Sequence, residues 1–480
     1  MGYLTADGIE ACVQYLAATY PAFCQAIVLP ETSVQGRTSR ALKIASGTGD
    51  RRGVLFLGGV HAREIVNPDL LVSFAFDLCQ AYADGTGLTF GPKSYNEGMV
   101  KLIVEGLDVF VFPQVNPDGR AYVQAPGGDV WWRKNRRLDP GSGCYGVDIN
   151  RNFDLLWSSG IGTSASPCDY QIYKGPSAFS EPETRNVRWL LDAYPNIMGM
   201  IDVHSYSDDM LYSWGDGDDQ TTDPSENFQN PAYDGLRGVH GSTVYGEYIP
   251  RADLDWFTST GGAVQAAIQA VRGTSYTVKQ SIGLYPTSGT SDDYSYSRHF
   301  VDSAKSRVYA YTLETGTEFQ PPYSEALNIM SEVSSGLVQF CLECVCAVTE
   351  LVRGTELARG TEMMRRLDLL RAFRDRALLT TAAGTGLAEA LVRHGAELAK
   401  LLVTDHAVRD RASGLLAAVE AAARHDTPLD AGLVSRAQAL AGELAERSSP
   451  ELRDTLTAII RDAEQFKGRT IADGLQALGG

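Results

Sequence analysis

The 480-residue chain lacks any apolar run of the roughly 18 residues that a membrane-crossing helix needs. It also lacks a basic excess. Its 42 Lys and Arg stand against 59 Asp and Glu, a formal net charge of −17 with a pI near 4.9. No surplus of cations is available to neutralise phosphates, which excludes a nucleic-acid backbone as the main partner. Cysteine is sparse: eight residues are too few for a disulfide scaffold and do not form paired CxxC units. The first ten residues show no basic patch ahead of an apolar stretch, so no signal peptide is expected in this chain. What is present is 44% hydrophobic and 21% charged, the composition of a globular protein with a sizeable core and length for two or three domains.

The composition changes near residue 346. Residues 347–480 carry 18 basic and 19 acidic residues and are rich in Ala, Leu and Arg. Every Trp and Tyr, and nearly all the negative excess, lies before that point. Two domains are therefore expected, 1–345 and 346–480.

The first part alternates short apolar runs with helical patterns. Candidate strands are 53–59, 108–115, 197–203 and 308–313, with helical spacing over 69–82 and 181–193. Thr5 is placed to cap a first helix that carries Ile9, Cys12, Val13 and Leu16 on one face. This order predicts an α/β fold with a mixed, mainly parallel central sheet flanked by helices. The tail predicts a small all-α domain. Met363, Leu367, Leu370 and Phe373 share one face, and Leu387, Leu391, Leu398 and Leu402 another. Ser449-Pro450-Glu451 reads as the start of a last helix carrying Leu452, Leu456, Ile459 and Phe466.

In open α/β sheets, ligands bind where the carboxyl ends of strands meet. Chemically capable residues follow each candidate strand here: His61 and Glu64, Asn116 to Gly119, His204, and Glu314. His61 and Glu64 are three apart, so a turn or helix start puts them on one side, and His204 is the natural third ligand. Two His and one Glu with a fourth position left for water is a common catalytic zinc set. A ligating His usually donates its other N–H to a carboxylate, and Asp148 is the candidate partner of His61. HxxE alone is a frequent surface turn, so the pattern gains weight only in company. The remaining His residues, at 240, 299, 394, 406 and 425, show no partner pattern and read as solvated or packed.

That company is present. His61-Ala-Arg-Glu64, Asn116-Pro-Asp-Gly119, Trp132-Arg133-Lys134, Gly146-Val-Asp-Ile-Asn150-Arg151-Asn152, His204-Ser-Tyr206, Tyr285 and Leu313-Glu314 occur in order. As a set they resemble the zinc metallocarboxypeptidase family of pancreatic carboxypeptidases A and B, from about Thr5 to Cys341. The resemblance implies one Zn2+ held by His61, Glu64 and His204, and a peptide or protein C terminus as substrate. Glu314 matches the general base that takes a proton from the zinc-bound water, and Arg133 the cation beside the scissile carbonyl. Asn150 and Arg151 match the pair that receives the terminal carboxylate, and Tyr285 the phenol that closes over it. Arg63 and Tyr206 match groups lining the subsites before the cleaved bond.

In the family, the residue seven positions after the closing tyrosine lies at the floor of the pocket for the last side chain, acidic in the B type and apolar in the A type. Here it is Asp292, which implies a preference for C-terminal Lys or Arg; Asp293 matches a structural aspartate. An Asx residue can instead cap a local turn. Two stretches depart from the pattern: 298–307 is extra, and 216–263 is longer and acidic, either a rim loop that favours cationic substrates or, by default, a solvated insertion. Cys144 and Cys168 match a disulfide pair, which implies an oxidising, extracellular setting; against the missing signal peptide, a cytoplasmic one stays open. Cys341, Cys344 and Cys346 are read as helix packing. Two other readings stay open: a deacylase or amidase of the same fold acting on a cell-wall peptide or acyl-amino acid, and an inactive binding module. The helical tail, 346–480, resembles nothing familiar, and three roles stay open for it: docking a protein partner, self-association, or a lid.

Overall fold

The computed structural model describes residues 2–47, 51–345, 394, 406–425, 427–471, 473–474 and 477. The first helix, α1 (Ala6–Thr19), starts as expected: the Thr5 hydroxyl accepts from the Gly8 N–H, and Ile9, Val13 and Leu16 are buried while Cys12 is half-buried. Strands β1 (Cys24–Val28), β2 (Arg40–Ile44) and β3 (Arg52–Gly58) precede helix α2 (Val66–Asp84). A small hairpin of β4 (Leu88–Phe90) and β5 (Lys93–Tyr95) leads to α3 (Glu97–Gly106), β6 (Leu107–Phe112) and α4 (Pro117–Gln124). After α5 (Pro182–Ala193) come β7 (Ile197–His204), β8 (Asp209–Tyr212), β9 (Asp219–Gln220) and β10 (Glu247–Tyr248). Helix α6 (Arg251–Arg272), β11 (Thr277–Gln280), α7 (Ser291–Val301), β12 (Tyr309–Glu314) and α8 (Tyr323–Val345) complete this part.

Eight strands form one mixed sheet in the order β1-β2-β6-β3-β7-β12-β8-β11. The four central strands β6, β3, β7 and β12 run parallel, and the antiparallel pairings are β1 with β2, β2 with β6 and β12 with β8. Burial on both faces explains why the central strands read as continuous apolar runs. Val54 and Phe56 of β3 enter the core beneath α2, α3, α6 and α8, while Leu55 and Leu57 enter the opposite core with Val187 and Leu190 of α5. Gly199 of β7 lets α8 approach closely, since a Cβ there would lie 2.9 Å from both Cys344 Sγ and Phe340. Cys341 and Cys344 are thus buried packing residues of α8; Cys346 lies outside the described residues.

All four candidate strands are found within a residue or so, except that β6 stops at Phe112, where Pro113 removes a ladder donor. The segment 216–263 departs from the solvated insertion expected. Its first part folds around Arg237, whose guanidinium reaches Asp234 and the carbonyls of Asn227 and Asn230, with Asp216, Tyr245 and Glu247 buried beside it. The β9–β10 ladder closes this small unit. Cys144 and Cys168 are joined, with Cα atoms 5.2 Å apart.

In the tail, α9 (His406–His425), α10 (Ala431–Glu446) and α11 (Pro450–Asp462) share a core of Val408, Leu440, Leu444, Leu452 and Leu456. The Ser449 hydroxyl caps α11 by accepting from Leu452 N–H, with Pro450 at the first turn. Ile459 packs on the same core, whereas Phe466 lies past the helix end in a 3-10 turn and packs on a second cluster. The two faces expected from Met363 to Leu402 lie outside the described residues. No described helix is long and apolar enough to cross a membrane.

Candidate active site and metal centre

The chain makes the site by ending three neighbouring parallel strands at one place. After β3 the backbone turns sharply at Gly58-Gly59. Gly59 has φ +64°, and a Cβ on Gly58 would lie 2.8 Å from Leu71 and 3.2 Å from the Pro113 carbonyl. This turn delivers His61 and Glu64 ahead of α2. His204 is the last residue of β7, and Glu314, the last of β12, is its partner in register.

His61 Nδ1 lies 2.7 Å from Glu64 Oε1, and His204 Nδ1 lies 3.0 Å from Glu64 Oε2. The two imidazole Nδ1 atoms face each other at 3.0 Å. The ligand atoms of the three residues all fall within 4.8 Å of one another, and all three side chains are buried. Behind them, His61 Nε2 is 3.2 Å from Asp148 Oδ1 and His204 Nε2 is 3.1 Å from Asp202 Oδ2. Each ring thus backs onto a carboxylate and turns its other nitrogen inward, the arrangement that orients metal-ligating imidazoles.

The electrostatics agree. Burial and the nearby Arg133 lower His61, favouring the neutral imidazole that ligates a metal. Burial pushes against charge on Glu64 too, but His61 and His204 outweigh it and hold the carboxylate ionised. Burial likewise opposes charge on His204, yet Asp202 and Glu64 outweigh it and draw positive charge to that point. The same field favours a cation among the three groups. Two nitrogens and one carboxylate oxygen, deeply buried and convergent, fit zinc.

Arg133 lies beside this centre, its Nε donating to Asp148 Oδ2 at 3.0 Å. Burial disfavours its charge, but Asp148, Tyr285 and Glu64 more than compensate, so the guanidinium stays cationic. Asp148 therefore serves both His61 and Arg133, and it also caps the short 3-10 turn 149–151 by accepting from Asn150 N–H. Burial drives Glu314 up to about 7 against the pull of His204.

The other expected residues gather here. The Asn150 amide oxygen accepts from Ser291 N–H at 2.8 Å, tying it to the start of α7. Arg151 donates through Nε to the Gly162 carbonyl and through Nη1 to the Asn150 carbonyl. Tyr285 is 45% exposed, with its ring 5.9 Å from the Arg151 guanidinium. Arg63 lies 4.2 Å over the Phe319 ring, and Tyr206 meets that ring edge-on at 4.8 Å. Asp292 is 2% exposed; Ser281 Oγ donates to its Oδ2, and its Oδ1 has no hydrogen-bond partner among the described residues.

Sequence reasoning missed Asp202. Its signal was available: residues two apart on a strand face the same side, so Asp202 had to share a face with His204. It also missed Phe319, which follows Glu314 in an irregular turn without a motif. None of the described side chains at His240, His299, His394 or His425 joins the centre. His240 contacts Asp218, His299 the Lys305 carbonyl, His394 approaches Thr455, and His425 is exposed.

A buried His/Glu/His centre with a carboxylate on the next strand and a guanidinium alongside defines a metal-dependent hydrolase. The profile of the zinc carboxypeptidase family matches residues 9–334, and the chain belongs to that family. It is a zinc metallocarboxypeptidase, a hydrolase of C-terminal peptide bonds. Carboxypeptidase B of Astacus astacus is 33% identical over 312 residues, covering 64% of this chain and 84% of that protein. Carboxypeptidase A1 of Rattus norvegicus is 30% identical over 268 residues, covering 54% and 60%. Among solved structures, bovine thrombin-activatable fibrinolysis inhibitor, in complex with tick carboxypeptidase inhibitor, superposes with a TM-score of 0.55 at 22% identity. That match covers 72% of this chain and 97% of the other and shows a shared fold.

Proposed function

We propose that the chain releases a basic residue, Lys or Arg, from the C terminus of peptides, using a catalytic unit at 1–345. His61, Glu64 and His204 hold the zinc, with Asp148 and Asp202 orienting the two imidazoles. Zinc, when bound, polarises the scissile carbonyl and acidifies water. Glu314 accepts the proton from the attacking water and passes it to the leaving amine. Arg133 stabilises the oxyanion that develops on the carbonyl, a charge that peaks in the transition state. Asn150 and Arg151 bind the terminal carboxylate, for which a planar guanidinium is well shaped. Tyr285, about half exposed, closes over the bound end, while Arg63 and Tyr206 contact the residues before the bond.

The observation that supports the basic preference is Asp292. A buried carboxylate with one oxygen unpartnered is costly, and a substrate cation is the natural group to satisfy it. The local alternative, capping of a turn, is not favoured, because the partner found is the Ser281 hydroxyl rather than a backbone N–H. The relatives carry both A and B names, so the preference rests on this residue. Rates on peptides differing only in the last residue test it. Arg and Lys are expected to exceed Leu and Phe in kcat/KM by at least about 10²-fold, the scale expected when a buried polar group is left unpaired. A preference for Leu or Phe would overturn it.

A further inference from the structure

Arg237 is the one Lys or Arg in the acidic stretch 216–249, and it is buried. Every nitrogen of its guanidinium has a partner. Nε donates to the Tyr245 hydroxyl at 3.2 Å, Nη1 to Asp234 Oδ1 at 2.6 Å, and Nη2 to the carbonyls of Asn227 and Asn230, each at 2.9 Å. One side chain thus pins three separate points of a stretch with little regular structure of its own. Removing it would leave buried acceptors unpaired, so the stretch holds one shape.

This small core touches the proposed carboxylate clamp along two paths. The first starts at the next residue. Gly238 N–H donates to the Asp216 carbonyl at 2.6 Å, and a φ of +84° turns the Gly238 backbone against Ile161, so that a Cβ on Gly238 would lie 3.1 Å from that side chain. Ile161 leads into Gly162, whose carbonyl accepts from Arg151 Nε at 2.9 Å. The second path starts at Asp216. The carbonyl of the preceding Gly215 accepts from Thr287 N–H at 2.8 Å, two residues past Tyr285. The paths then meet. Ser288 Oγ donates to the Ile161 carbonyl at 2.9 Å, and a Cβ on Gly162 would lie 2.2 Å from the Pro286 carbonyl. Ile161 and Gly162 therefore link the Arg237 core to Arg151 and to the loop after Tyr285.

We infer that Arg237 is a positioning residue for recognition of the substrate's terminal carboxylate, acting through Gly238, Ile161 and the Gly162 carbonyl on Arg151. It touches no substrate itself. The inference rests on the proposed carboxypeptidase reading, in which Arg151 receives that carboxylate and Tyr285 closes over it. Arg151 already commits two nitrogens to the carbonyls of Gly162 and Asn150. Those two bonds set the plane of its guanidinium, and two-point pairing with a carboxylate depends on that plane. A displaced Gly162 carbonyl would turn the plane and weaken capture of the substrate. His61, Glu64, His204 and Glu314 take part in neither path, so the effect falls on binding rather than on the chemical step.

Arg237→Lys and Ile161→Ala test it in the zinc-loaded full chain, with a blocked peptide ending in the best-cut residue as substrate. Two competitive ligands separate the clamp from the metal. The N-acyl form of that residue presents a terminal carboxylate; acetohydroxamate binds the metal and has none. In each variant, KM and the Ki of the N-acyl amino acid should rise about five- to tenfold, while kcat and the Ki of acetohydroxamate stay within about twofold. In the double variant the losses should be less than additive, because both changes act along one path. Unchanged KM and Ki for the N-acyl amino acid would overturn the inference. So would equal losses for both ligands, the sign of general loosening. Ile161→Ala leaves no buried charge unpaired, so it decides the matter if Arg237→Lys does not fold. If the wild type cuts no peptide, the carboxypeptidase reading itself fails, an outcome distinct from cutting with an unaltered clamp.

Discussion

His204 and Glu314 face each other in register at the ends of the adjacent parallel strands β7 and β12. In the proposed mechanism one residue is a metal ligand and the other the carboxylate that handles the proton. Pairing in the sheet, rather than a mobile loop, fixes their separation, so the proposed proton acceptor is held beside the His/Glu/His centre without any closing motion.

Glu314→Gln tests that division of labour. The amide keeps the shape but cannot accept the proton. It should lower kcat by about 10²–10⁴-fold while zinc content, measured by atomic emission, stays at one per chain. An unchanged rate would show that Glu314 is not the base used.

Asp202 and Asp148 back the two ligating imidazoles, so each should support metal retention. Asp202→Asn and Asp148→Asn should each weaken zinc binding by about 10–100-fold, measured by competition with a chromogenic chelator. Asp148→Asn should also reduce kcat beyond its effect on metal loading, because Asp148 also holds Arg133. Wild-type zinc affinity in both variants would refute the orienting role.

The Asp292 reading predicts a change of preference rather than simple inactivation. Asp292→Asn should reduce kcat/KM on an Arg-ending peptide by at least about 10²-fold and leave a Leu-ending peptide within a few-fold. Equal losses on both peptides would point to a packing role.

Away from the site, Glu183 gives a pH signature. Its carboxyl is buried beside Asn135, and burial, then the charges of Glu181 and Asp118, push it up to about 8. A raised folded-state value means that the folded form holds its proton longer than the unfolded chain does. The associated stability is fully present below about 4.5, declines as pH rises and is lost once pH passes about 8. Glu183→Gln cannot ionise, so its Tm should climb relative to wild type by several degrees between pH 5 and 8. Parallel Tm curves across that range would contradict the buried-acid account.

Much of this was legible in the sequence, for physical reasons. The central strands β3, β6, β7 and β12 are buried on both faces, so their runs are largely apolar, and the polar residues at their ends stand out. The edge strands β1 and β11 are short and only partly buried, and their mixed residues give no comparable pattern. His61, Glu64 and His204 could be grouped because turn spacing and strand ends place them. Phe319 could not, because loop geometry alone brings it against Arg63 and Tyr206. The small core around Arg237 was hidden because an acidic, Gly-rich stretch reads as solvated until its buried cation is seen.

The most direct measurement is release of free arginine from a blocked peptide ending in Arg, on protein whose metal content is determined in parallel, with and without a chelator. The account predicts one zinc per chain, loss of activity as the metal is withdrawn and recovery when zinc is returned. A full rate in the chelator, on protein shown to be metal-free, would contradict it.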